Sequence, residues 1–108
     1  MKTDPPMAVI LLNWNHAADT IRCASRLDGW HDLHPRVIVV DNASDEDDLG
    51  ALRKGLRTGE IIESQKNLGF AGGCNQGIRQ AMTQGASYVA LCNYDADVSE
   101  ETMARMLA

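Results

Sequence analysis

The chain has 108 residues, 44% of them hydrophobic and 23% charged, with a formal net charge of −5. That is enough for one folded domain, which buries about two-thirds of its unfolded surface. The acidic balance excludes non-specific nucleic-acid binding, which needs a basic face, and no window comes near the roughly 20 apolar residues of a membrane helix.

Met1 to Pro6 is a polar, proline-bearing lead-in with no reason to be ordered, and it lacks the basic and apolar regions of a signal peptide. Met7 to Leu12 is a continuous apolar run, as expected of a strand covered on both faces. It ends at Asn13-Trp14-Asn15. Ala17, Ile21, Ala24 and Leu27 then keep helical spacing, with Asn15 or His16 near the cap and Gly29 as the stop. Val37 to Val40 is a second buried strand, stopped by Asp41-Asn42-Ala43-Ser44. Ser44, with Asp47 at N3, is expected to open a helix whose inner face is Leu49, Leu52 and Leu56. The acidic run Asp45 to Asp48 falls in its first turn, where the helix dipole favours negative charge, and reads as a solvated helix start.

Glu60 to Ser64 is a third, weaker strand nearer an edge. Asn67 to Asn75 is a glycine-rich turn running into a helix, with Ala71, Cys74, Ile78, Ala81 and Met82 at the apolar spacing and Gly85 as its end. Phe70 reads as a packed core ring. A fourth strand from Tyr88 delivers L-C-N-Y-D-A-D, and a last helix, Ser99 to Ala108, is expected to pack Met103, Met106 and Leu107. Asp97 also reads as an N-cap for that helix, with Glu100 at N3. Strand and helix alternate four times without a hairpin, which implies an α/β fold with a parallel sheet, right-handed crossovers and helices on both faces. Cys23, Cys74 and Cys92 show no C-x-x-C spacing and fit reduced, buried thiols in a cytoplasmic protein.

Two phosphate-binding signatures fail. A dinucleotide site needs G-x-G-x-x-G after the first strand, whereas the turn here is Asn13-Trp14-Asn15-His16 and the glycines come two units later. A Walker loop is absent because no G-K-S/T occurs. The acids at the end of the fourth strand remain. Carboxylate and amide oxygens a residue or two apart suit Mg²⁺ or Mn²⁺, which can in turn hold a diphosphate.

The ordered set V-I-L-L-N-W-N, V-I-V-V-D-N-A-S, N-L-G-F-A-G-G-C-N-Q-G-I and Y-V-A-L-C-N-Y-D-A-D resembles the nucleotide-sugar half of family-2 glycosyltransferases with the GT-A fold. It looks most like the rhamnosyltransferase-type members that build bacterial surface polysaccharides. The resemblance runs from Met7 to the last residue and implies a Rossmann-like sheet of order 3-2-1-4. It implies that Asp41 receives the uracil or thymine of a UDP- or dTDP-linked donor, with Asn13 and Asn15 lining the base and ribose pocket. For Asn13 and Asn15 the alternative is turn and cap chemistry. Asn67, Gly69 and Gly73 match the loop beside the ribose and diphosphate, where a helix N-terminus offers free N–H groups; tight strand–helix packing is the other reading of the glycines.

Asn93-Tyr94-Asp95 matches the family's D-x-D, so Asp95 and Asn93 are the metal-ligand candidates and Asn93 also faces the nucleotide. The amide at Asn93 departs from the acidic form of the motif and weakens cation affinity. Asp95-Ala96-Asp97 spells the literal D-x-D two residues on, so Asp97 stays open as Asp95's partner. By resemblance, such enzymes transfer a sugar to an acceptor hydroxyl with inversion. The acceptor site and base belong to a half that follows the D-x-D-like strand, so residues 7–108 are expected to be an incomplete, donor-binding half of a cytoplasmic enzyme working at the inner face of the membrane. The Tyr88 strand is then a bare sheet edge, for which self-association is expected. A non-catalytic nucleotide-binding or assembly module of the same fold is the second reading.

Overall fold

The computed structural model describes residues 7–96 and 98–107. The expected disordered lead-in, Asp97 and Ala108 lie outside the described residues. Four strands and four helices alternate: β1 (Met7–Asn13), α1 (Ala17–Asp28), β2 (Arg36–Asp41), α2 (Glu46–Gly55), β3 (Glu60–Glu63), α3 (Gly69–Thr83), β4 (Tyr88–Cys92) and α4 (Glu100–Leu107). The sheet has the order β3-β2-β1-β4 and every pairing is parallel, as the pattern predicts.

Register decides what meets at the carboxyl edge. Ala8 pairs with Arg36, so the ladder ends with Asn13 beside Asp41, and on the other side Leu11 pairs with Cys92. The ladder continues past the strand ends, with the Asn42 N–H donating to the Asn13 carbonyl and the Ser64 N–H to the Asp41 carbonyl, both at 2.9 Å. The turns after β1, β2 and β4 therefore leave the sheet side by side.

Strand alternation sorts the core into two layers. Met7, Val9, Leu11, Val37 and Val39 face one side and pack with Ala17, Cys23, Ala24 and Leu27 of α1, Leu52 of α2 and Met103 of α4. Ala8, Ile10, Ile38 and Val40 face the other side, against Ala81 of α3. Three helices thus cover one face and α3 the other. α3 lies so close to β1 that a Cβ on Gly77 would meet Ile10 Cγ2 at 2.5 Å and one on Gly73 would meet Leu12 Cδ2 at 2.5 Å.

Several local expectations change. The inner face of α3 is Gly73, Cys74, Gly77 and Ala81, whereas Ala71 and Met82 are exposed. The close β1 approach selects the glycine stripe over the longer side chains. Met106 is 66% exposed, because α4 turns only Met103 fully inward and Leu107 partly. Helix α2 starts one residue later than expected, with Asp45 at the cap position, because Ser44 is used elsewhere. Its hydroxyl donates to Asp41 Oδ1 at 2.6 Å and accepts the Asn15 N–H at 2.9 Å. At α4 the cap is Ser99, whose Oγ accepts the Thr102 N–H at 3.1 Å.

Candidate functional site

Asn13 is fully buried and every polar atom of its side chain is engaged. Its Nδ2 donates to Asp41 Oδ1 at 2.9 Å and to Asp48 Oδ2 at 3.0 Å, while its Oδ1 accepts the Thr20 hydroxyl at 2.7 Å. Asp41 is 1% exposed. Its Oδ1 also accepts from the Ser44 hydroxyl, and its Oδ2 accepts the Ser44 N–H at 3.1 Å. A buried carboxylate survives through such partners. These partners bond both oxygens from within the protein, and at 1% exposure Asp41 is not among the residues that line the cleft described below.

Asp48 belongs to the acidic run read as a solvated helix start. It is half-buried, and besides Asn13 it accepts the Ala17 N–H on Oδ1 at 3.0 Å. A side chain of α2 thereby satisfies an orphan donor at the start of α1, where His16 makes no side-chain cap. Asn15 has φ 57, a left-handed conformation that asparagine tolerates. Its Oδ1 accepts the Asp45 N–H at 2.9 Å. Of the two readings of Asn15, the geometry matches turn chemistry.

Above this network an open cleft of about 340 Å³ lies at the carboxyl edge of the sheet, within the usual range of ligand pockets. It is lined by Asn13, Trp14 and His16 after β1, Asn42 after β2, Asn67, Gly69 and Phe70 before and within α3, and Asn93 and Tyr94 after β4. No lysine, arginine or carboxylate is among these residues. Asn42 holds the glycine turn in place: its Nδ2 donates to the Gly69 carbonyl at 3.0 Å and its Oδ1 accepts the Leu68 N–H at 3.2 Å. The Gly69 N–H donates to Asn67 Oδ1 at 2.7 Å. Gly69 itself has φ +74 with open space around it, so the backbone conformation requires glycine there. Gly73 serves the packing of α3 on β1 and on Asn42, the alternative reading of the glycines.

Phe70, expected in the core, is 61% exposed on the cleft, and Trp14, 54% exposed, lines the same space. The sequence motifs give neither Trp14 nor Tyr94 a role; an aromatic beside the asparagines at a strand end is the signal they carry. Asn93 and Asp95 are both exposed at the end of β4. Asp97, the alternative partner of Asp95, lies outside the described residues. Among the described residues no three His, Cys, Asp or Glu side chains cluster as a metal site. One carboxylate and one amide do fit a hard cation of the Mg²⁺ type, which keeps several waters and completes its shell with substrate phosphates. No disulfide joins Cys23, Cys74 and Cys92, and burial pushes the Cys74 and Cys92 thiols up, away from reactivity.

No helix among the described residues is long and apolar enough to cross a membrane. The search of curated proteins returned no match. The sequence model described as Glycosyl transferase family 2 matches residues 8–108, which takes in all four strand ends and the cleft between them. The chain therefore belongs to glycosyl transferase family 2.

Proposed function

We propose that the cleft binds the pyrimidine nucleotide of a UDP- or dTDP-linked sugar, and that the chain is the donor-binding part of an inverting glycosyltransferase of the rhamnosyltransferase type. The observation that carries this reading is the lining itself. Two exposed aromatic rings, Trp14 and Phe70, and the amides of Asn67 and Asn93 border one uncharged space, with Asp95 at the end of the adjacent strand. Aromatic faces stack on bases, amides match base and ribose edges, and the open sheet edge is where α/β folds take ligands. Asn13 lies at the floor of the cleft, and Asp41, Asn15 and Gly73 support the site from beneath, by fixing the turns that carry the lining. Asp95 and Asn93 would hold a Mg²⁺ or Mn²⁺ shared with the diphosphate, and that ion neutralises charge on the leaving group. Work at the inner face of the membrane in surface polysaccharide synthesis follows from the same resemblance.

Calorimetric titration of UDP and dTDP, with and without Mn²⁺, on wild type and Asp95→Ala tests the reading. Metal-dependent binding that the variant loses is the expected result. A wild type that binds neither nucleotide refutes it. β4 is a sheet edge with Tyr88 and Leu91 exposed, and we propose self-association there; a strictly monomeric particle by light scattering at high concentration counts against it.

A further inference from the structure

The segment carrying Asn93 and Asp95 follows β4 and runs beside the β1–α1 turn and α1. Within it the Ala96 N–H donates to the Asn93 carbonyl at 3.0 Å, and the Cys23 thiol lies 4.0 Å from the same carbonyl. The Asn93 and Asp95 side chains are exposed. Tyr94, between them, is half-buried and stacks on His16, with ring centroids 4.6 Å apart and planes at 20°.

His16 stands on a firm support. The residue before it, Asn15, is pinned through its N–H to Ser44 and its Oδ1 to Asp45, and the residue after it donates its N–H to Asp48. His16 Nδ1 lies 3.5 Å from Asp19. The Arg22 guanidinium hydrogen-bonded to Asp19 keeps that carboxylate ionised, below its ordinary range. The turn between β1 and α1 thus touches the segment after β4 through this ring pair.

We infer that His16 is a positioning residue: its ring fixes Tyr94, and through Tyr94 the angle at which Asp95 meets a nucleotide diphosphate and its cation. This rests on the nucleotide reading above and adds a mechanical link between the two ends of the cleft. The link needs a flat ring at position 16 and no charge, so phenylalanine substitutes for histidine and alanine does not.

UDP titrations with and without Mn²⁺ on wild type, His16→Ala and His16→Phe test it, together with amide hydrogen exchange of residues 93–96 in the ligand-free proteins. In His16→Ala the Mn²⁺-dependent gain in UDP affinity falls about three- to tenfold, the equilibrium shift one ring pair can supply, and exchange at 93–96 speeds up. His16→Phe restores both. A wild type with Mn²⁺-dependent binding whose alanine variant keeps the full gain, or a phenylalanine variant no better than alanine, overturns the link alone. A wild type that binds no UDP overturns the nucleotide reading and the role of the stack with it.

Discussion

Replacing Asn13 by leucine keeps the number and branching of the side-chain heavy atoms and removes the centre of the buried network. Thr20 Oγ1 loses its acceptor at 2.7 Å and Asp41 Oδ1 loses its donor at 2.9 Å, both at fully buried residues. Each orphaned buried group costs about 1–3 kcal/mol. Asp41 keeps both hydrogen bonds from Ser44, so its share falls at the low end, and half-buried Asp48 recruits water. Burial of the leucine offsets part of the loss at roughly 25 cal/mol per Å². The net expectation is a destabilisation of about 2 kcal/mol, well short of the roughly 5–15 kcal/mol that holds a domain folded. Urea unfolding followed by circular dichroism reads this as a midpoint about 1 M lower, at a slope of about 2 kcal/mol/M. Adding Thr20→Val removes one orphan and recovers part of the loss. A change below about 0.5 kcal/mol, with no recovery in the double variant, refutes the idea that the network is needed to satisfy buried groups.

The close approach of α3 to β1 makes Gly77→Ala destabilising by about 1–2 kcal/mol, since overpacking against Ile10 outweighs the helix-propensity gain. Gly50→Ala, in α2 with nothing within 4 Å, gains about 0.5–1 kcal/mol, and thermal melts of the pair separate crowding from propensity. Glu100 accepts the N–H groups of His31, Asp32 and Leu33 at 3.0, 2.6 and 2.6 Å. Desolvation works against its charge, yet those three bonds hold its carboxyl below its ordinary 4.5. The folded state therefore favours the ionised form, so the stability gained is present above pH 4.5 and lost as pH falls through the lower folded value. Glu100→Gln is accordingly less stable than wild type at pH 7, and the urea midpoints of the two converge as pH falls through that lower folded value. Trp14→Ala and Phe70→Ala, at exposed positions, leave stability within about 0.5 kcal/mol. On the nucleotide reading, loss of base stacking makes at least one of them weaken UDP binding about five- to a hundredfold in calorimetry.

The sequence by itself determined the alternation of strands and helices. A parallel strand buried on both faces must be a continuous apolar run, and Met7 to Leu12 and Val37 to Val40 admit little else. It also determined that those runs end in asparagine and aspartate at one edge of the sheet, the edge where the cleft opens. What it left open was direction at the strand ends. Asp41 and Asn42 are neighbours of similar size, and only the register that sets Asn13 against Asp41 sends the acid beneath the cleft and the amide to its wall. Ser44 was equally plausible as a helix cap, until the nearness of Asn15 and Asp41 gave it other partners. Phe70 and Met106 follow helical rules that do not say which side of a helix a neighbour will cover. Local preferences are set by a few adjacent residues, whereas contacts between residues some 30 positions apart exist only once the sheet has assembled, and those contacts decided which groups line the cleft.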